Sequence, residues 1–185
     1  MELPDSKQTL NLIARRQSDR AYSDKPVEQD KLDRILEAAR LAPSACNAQP
    51  WRFIVVTDPE TRSKIAEAAS AKALGMNTFV SQVPVFIVIV REKPNLTSRI
   101  GTAVKQKDYS LMDIGIASGF ISLQASAEGL GSCIMGWFNE KLVGKILGVP
   151  AGKRIELIVA VGYPAKEYRE KKRKPHGEVI SYNKY

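Results

Sequence analysis

The sequence predicts one domain of interspersed helices and strands around a buried central strand, and it argues against a doubly wound dinucleotide-binding sheet. Three observations carry this. Val83 to Val90 is apolar without a break, the pattern of a strand covered on both faces. Tyr109 to Glu128 is apolar nearly all round, with Gly115, Ser118, Gly119, Ser122, Ala125 and Ser126 as small residues. Such a helix is buried, in the core of the fold or of a dimer, and its small residues let another backbone approach closely. The glycine-rich stretch Gly129 to Trp137 follows that helix rather than a strand, lacks the G-x-G-x-x-G spacing and holds no Gly-Lys-Ser/Thr.

Composition agrees with a globular domain. At 185 residues, 44% apolar and 26% charged, the chain has material for a sizeable core. Cys46 and Cys133 form no metal-like pair and the one histidine, His176, completes no zinc site, so a reducing cytoplasm is expected. The opening residues MELPDSKQTL lack an apolar leader core, and the longest apolar run is far short of a membrane span. The expectation is a soluble protein with no membrane partner.

In order, Lys7 to Arg16 reads as a short helix with Leu10, Ile13 and Ala14 inward. Arg15 to Arg20 follows as a cationic turn with Ser18 in its middle, and Lys25-Pro26 ends it. Leu32, Ile35, Leu36 and Ala39 recur at helical spacing as far as Leu41. Phe53 to Thr57 is a strand. Asp58-Pro59-Glu60 starts the next helix with an N-cap, a proline at its first position and an early acid, and that helix extends to about Leu74. Gly75-Met76-Asn77 is a loop. Glu92 to Lys107, with Pro94, Asn95 and Gly101, is weakly patterned and the expected mobile or substrate-facing part. Gly129 and Gly131 are expected to end the long helix, and Gly136 to let something flat approach the backbone. Asn139 caps a helix through Leu142, Val143, Ile146 and Leu147 that closes at Gly148 and Pro150. Ile155 to Val161 is the last core strand. The domain is expected over 1–165, with a basic C-terminal arm over 166–185.

The pivot of the chain is Ala42 to Trp51. Pro43 forbids continuation of the preceding helix and Pro50 fixes a second extended step before the strand. Ser44, Asn47 and Gln49 stand between them on a rigid elbow. One reading is an ordinary connection whose polar groups cap their own backbone; the other is a binding segment.

Charge raises a second question. Half of the formal +8 lies in Lys166 to Lys174, with six basic residues against two acidic ones. Such a run serves a nucleic acid, or joins the basic turn near the N-terminus around a small anion such as a phosphate. No basic stripe interleaved with aromatics and no nucleic-acid motif accompanies it, so no nucleic-acid partner is expected.

Together these pieces resemble the FMN-dependent nitroreductase family. The resemblance rests on Arg16-Gln17-Ser18-Asp19-Arg20, then Ala42-Pro43-Ser44-x-x-Asn47-x-Gln49-Pro50-Trp51, then Asp113-Ile114-Gly115-Ile116-Ala117. Gly129-Leu130-Gly131-Ser132-Cys133 with Met135-Gly136, and the closing Gly162-Tyr163-Pro164 before a Lys/Arg cluster, complete the order. It implies an α+β fold, a central mostly antiparallel β-sheet wrapped by helices, in an intertwined homodimer with an FMN at each end of the interface. The long helix would then be interface and the C-terminal arm would lie on the partner subunit. Arg16, Ser18 and Arg20 match the family's phosphate and pyrimidine-side contacts, with Gln17 where the family often has His. Pro43, Ser44 and Asn47 match the segment that reaches the flavin from the other subunit. Met135 and Gly136 match the backbone beside flavin N5. Arg173 and Lys171 match the C-terminal phosphate ligands, and Asn77 is the remaining match.

The implied activity is NAD(P)H oxidation with reduction of a nitroaromatic, a quinone or a similar flat electrophile in a ping-pong order, NADH or NADPH being the donor. No metal, nucleophile or general acid is required. A phosphate monoester near two negative charges needs two or more fixed cations and hydroxyl donors in a dry site. Arg20 beside flavin N1 would raise the reduction potential. Azoline oxidation, dehalogenation and flavin breakdown on the same fold remain open, as does a flavin- or nucleic-acid-binding protein without turnover. For the other residues the expectation is structural: Cys46 and Cys133 buried, Trp51, Phe53, Phe86 and Trp137 in the core, Tyr163, Tyr168 and Tyr182 packing the arm, His176 solvated.

Overall fold

A computed structural model describes residues 5–71, 75–95, 97 and 105–185. Four strands form one antiparallel sheet in the order β1-β2-β4-β3: β1 (Trp51–Val56), β2 (Val85–Arg91), β3 (Gly131–Met135) and β4 (Arg154–Gly162). β2 is central, with Phe53 opposite Ile89 on one side and Ile87 opposite Val159 on the other. Six consecutive β2 residues are buried. Helices cover both faces. Phe86, Val88, Ile158, Ala160, Cys133 and Met135 pack on one side with Ile65 and Ala69 of α3 (Pro59–Ala69). Val85, Ile87, Ile89, Val159 and Val161 pack on the other with Leu32, Ile35 and Ala39 of α2 (Gln29–Arg40) and Ile114, Ile121 and Ala125 of α4 (Tyr109–Ala127). Each buried Val, Leu, Ile, Phe or Met among them contributes about 1.5–3 kcal/mol by leaving water, so this double-sided core dominates stability. The molecule is α+β, as the resemblance implies.

Local chemistry explains the helix ends. Asp58 accepts from the Thr61 N–H at 2.8 Å, and Pro59 opens α3 where its missing donor is harmless. Asn139 caps α5 (Glu140–Leu147) by accepting from the Leu142 N–H at 3.1 Å, and Gly148 closes it at φ +63°. α3 stops at Ala69, short of Leu74, because Ser70 turns extended; residues 72–74 lie outside the described ones.

Other expectations are corrected. Gly131 does not end α4. Gly129, at φ +75°, does, with the Leu130 N–H returning to the Ala125 carbonyl at 2.8 Å. Gly131 instead begins β3, pairing with Gly162, and a Cβ there would stand 2.6 Å from Asp19 Oδ2. In α1 (Ser6–Arg15), Leu10 is 65% and Ile13 47% exposed and Ala14 is exposed, because a single chain supplies nothing to cover that stripe. The outer side of α4 is likewise bare: Leu111, Met112, Ile116 and Phe120 face out while Asp113, Ile114 and Ala117 face in. The Glu92 to Lys107 stretch lies partly outside the described residues, at 96 and 98–104. After β4 the chain is exposed apart from the half-buried Tyr163 and Lys171, with one helical turn, α6 (His176–Val179). The Tyr168 hydroxyl donates to the Ala14 carbonyl at 3.2 Å, whereas Tyr182 is 79% exposed.

Candidate active site

Leaving α1, the chain from Arg16 to Arg20 runs beside β3. The Asp19 N–H donates to the Ser132 carbonyl at 2.9 Å, and Ser18 bridges to Ser132 in parallel. The basic C-terminal run folds back onto this segment. Arg169 donates through its N–H to Gln17 Oε1 at 3.1 Å and through its guanidinium to the Ser18 carbonyl at 3.1 Å. Lys171 Nζ donates to the Ile13 carbonyl at 2.8 Å. Both basic segments therefore line one open cleft of about 460 Å³, with Arg16, Gln17, Ser18, Lys171 and Arg173 in its wall.

Electrostatics in this cleft are unbalanced. The Lys171 ammonium is held below its ordinary range, first by partial burial and then by repulsion from Arg16 and Arg173. None of these three cations belongs to an ion pair among the described residues. Glu170 also lines the cleft but forms no ion pair with any of the three among the described residues, and crowded cations left unpaired suit an external anion. Asp19 lies behind them, 7% exposed, with its carboxyl pushed up by burial against the pull of the Gln17 amide, which donates to it at 2.8 Å, and of Arg169 and Arg16. Gln17 is thus occupied within the chain, holding Asp19 and the returning arm rather than pointing a free group into the cleft.

Beyond Ser132, β3 leads to the second group of residues. Arg20 is exposed and close enough to β3 to oppose the upward push that burial gives the Cys133 thiol. Met135 is buried and Gly136 exposed. Asn77, at φ +53°, donates to the Ala69 carbonyl at 3.1 Å and to the Trp137 carbonyl at 2.9 Å, which brings it to the end of β3. Trp137 is 55% exposed and not core, because it follows the last paired residue of β3.

The elbow is elsewhere. Ser44 Oγ accepts from the Gln49 N–H at 3.0 Å, and Asn47 Oδ1 accepts from the Gln49 amide at 3.1 Å. Pro43 and Asn47 are exposed. Cys46 is exposed too, contrary to expectation, since its left-handed backbone at φ +53° sits at the tip of the turn. The Ala45 N–H donates to Asp113 Oδ1 at 3.0 Å, which fixes the elbow near the start of α4. Ser126, near the other end of α4, lines a smaller hollow that shares Arg16 and Gln17 with the cleft. Thirteen helical residues at a rise of 1.5 Å each separate the two by about 20 Å. One chain joins Arg16, Gln17, Ser18, Lys171 and Arg173, and links Arg20, Asn77, Met135 and Gly136 through β3, but it leaves Pro43, Ser44 and Asn47 apart.

Sequence reading missed Arg169 and the supporting roles of Asp19 and Asp113. Arg169 sits within the basic run, where spacing cannot single out one residue. The signal for Asp19 was Gly131, whose need to lack a Cβ becomes visible only when the two segments meet.

The nitroreductase family profile matches residues 13–163. The chain is 34% identical to an NADH dehydrogenase of Thermus thermophilus, covering 90% of this chain and 91% of that one. It is 28% identical to an oxygen-insensitive NADPH nitroreductase of Helicobacter acinonychis, over 83% and 85% of the two chains. Among solved structures, an FMN-dependent nitroreductase from Clostridium difficile superposes with a TM-score of 0.76 at 30% identity, over 95% of this chain and 99% of that one. Fold, motif order and sequence agree: the chain belongs to the nitroreductase family.

Proposed function

We propose that the protein is an FMN-dependent NAD(P)H oxidoreductase that works as a homodimer and reduces flat electrophiles such as nitroaromatics and quinones. The observation that carries this is the cleft where Arg16, Lys171 and Arg173 crowd together outside any ion pair among the described residues, with Ser18 beside them. A phosphate monoester supplies the anion they lack, and a hydroxyl donor with guanidinium forks suits its oxygens. FMN, when bound, supplies the redox chemistry, accepting a hydride equivalent from NAD(P)H and passing electrons to the acceptor.

The chain's own residues bind and tune. Arg16, Ser18, Lys171 and Arg173 hold the phosphate end, and Gln17 keeps the C-terminal run docked against them. Arg20, on the β3 side, would supply a positive charge for the negative charge that FMN gains when it accepts electrons. The backbone at Met135 and Gly136 orients the ring without a side chain in the way, and Asn77 holds the following peptide in place. Pro43, Ser44 and Asn47, about 20 Å away along their own chain, complete the site on the other subunit. No protein group here needs to act as nucleophile or general acid.

Donor and acceptor would share one open face, so each must leave before the other binds. Steady-state kinetics with NAD(P)H and a quinone test this: parallel double-reciprocal lines are expected, and intersecting lines would overturn the shared face.

A further inference from the structure

The elbow between α2 and β1 has a demanding backbone. Cys46, Asn47 and Gln49 take φ of +53°, +50° and +45°, a region that residues with a Cβ enter only under constraint and that clusters at functional sites. The Ser44–Gln49 hydrogen bond closes the loop on itself but ties it to nothing else. Asn95 holds the Cys46 carbonyl at 3.0 Å from an exposed position. The buried tie is Asp113. From the inner face of α4 its Oδ1 accepts from the Ala45 N–H at 3.0 Å, with the residue 4% exposed.

Its buried neighbours on the helix are Ser110, one turn earlier, and the apolar Ile114 and Ala117. Asp113 Oδ2 is buried without a hydrogen-bond partner among the described residues. A half-used buried carboxylate disfavours folding, so its value to the protein lies in what Oδ1 holds. Asp113 does not line the cleft.

We propose that Asp113 is a positioning residue. Through the Ala45 N–H it holds the left-handed elbow in the one shape in which Pro43, Ser44 and Asn47 meet the flavin of the other subunit. This rests on the FMN reading above. Without the acceptor, residues 46–49 relax toward ordinary backbone and the cross-subunit contacts with the flavin are lost, while the sheet and the phosphate cleft stay intact.

Two changes remove the same hydrogen bond from opposite ends. Asp113→Leu deletes the acceptor. Ala45→Pro deletes the donor, and it suits the backbone because Ser44, at φ −144° and ψ +153°, already has the extended shape that a following proline requires. FMN affinity is measured by fluorescence titration of apoprotein, and amide hydrogen exchange over residues 44–49 is measured without flavin. Each single variant is expected to bind FMN about tenfold or more weakly and to exchange the elbow amides faster, with exchange in β2 and β4 unchanged. The double variant should bind no more weakly than the weaker single one, because the same bond is lost once. Asp113→Asn keeps an oxygen acceptor and should restore affinity to within about threefold of wild type. Wild-type affinity and exchange in Asp113→Leu, or losses that multiply in the double variant, would overturn the proposal. If Asp113→Leu fails to fold, Ala45→Pro alone decides. If wild-type protein takes up no FMN, the FMN reading fails, and the exchange measurement still judges whether Asp113 shapes the elbow.

Discussion

Arg16, Lys171 and Arg173 show what one cluster of side chains can determine. The Lys171 ammonium is held below its ordinary range, because burial and two guanidinium groups disfavour its charge. A lysine whose folded pKa is depressed weakens the fold below that pKa, and the penalty disappears as pH rises through it toward the unfolded value. A bound phosphate reverses the local field and pulls the pKa back up. FMN binding at alkaline pH should therefore take up protons, read as a buffer-dependent heat in calorimetry, and Lys171→Met should abolish that uptake. Arg173→Ala should weaken FMN by about tenfold or more, and should flatten the salt dependence of binding. Arg20→Ala should leave affinity nearer to wild type but lower the flavin potential and slow reduction by NAD(P)H. An unchanged potential removes Arg20 from the N1 role.

At the level of elements, the contact between β3 and the Arg16–Arg20 segment is the most sensitive. A Cβ on Gly131 would lie 2.6–2.9 Å from three atoms of Asp19, which is pinned by its own N–H to Ser132 and by Gln17. Gly131→Ala should destabilise by about 1–3 kcal/mol in thermal or urea unfolding, and should weaken FMN as well, because Arg16 and Ser18 ride on the displaced segment. Stability unchanged would mean that the segment moves freely. The same region shows where sequence stops being legible. The ends of α3 and α5 could be read from Asp58, Pro59, Asn139 and Gly148, since capping is settled within a few residues. β3 could not, because Gly131-Ser132-Cys133 has no strand propensity of its own and becomes a strand by pairing with β4, about thirty residues later. The basic residues of the cleft were legible as charge; their arrangement was not, because Gln17 and Arg169 join segments from opposite ends of the chain.

For the molecule as a whole, the bare apolar faces carry the argument. Leu111, Met112, Ile116 and Phe120 on α4, with Leu10 and Ile13 on α1, form an exposed surface that a single chain does not cover. Sequence marked α4 as buried without separating core from interface, because both are apolar and an all-apolar helix has no polar side to give its orientation away. The elbow and the hollow that shares Arg16 and Gln17 with the basic cleft lie at opposite ends of that helix, so pairing two chains across it is what would complete the proposed site. Ile116→Lys, at an exposed position, should leave each chain folded but shift it to monomer and remove FMN binding with it. A monomeric variant that keeps FMN would separate the flavin site from the partner.

The most direct measurement is the mass and colour of the purified protein after saturation with FMN, by light scattering and absorbance on one column. A single peak of dimer mass carrying one flavin per chain, bleached anaerobically by NAD(P)H, is the result predicted. A colourless monomer emerging from excess FMN would contradict it.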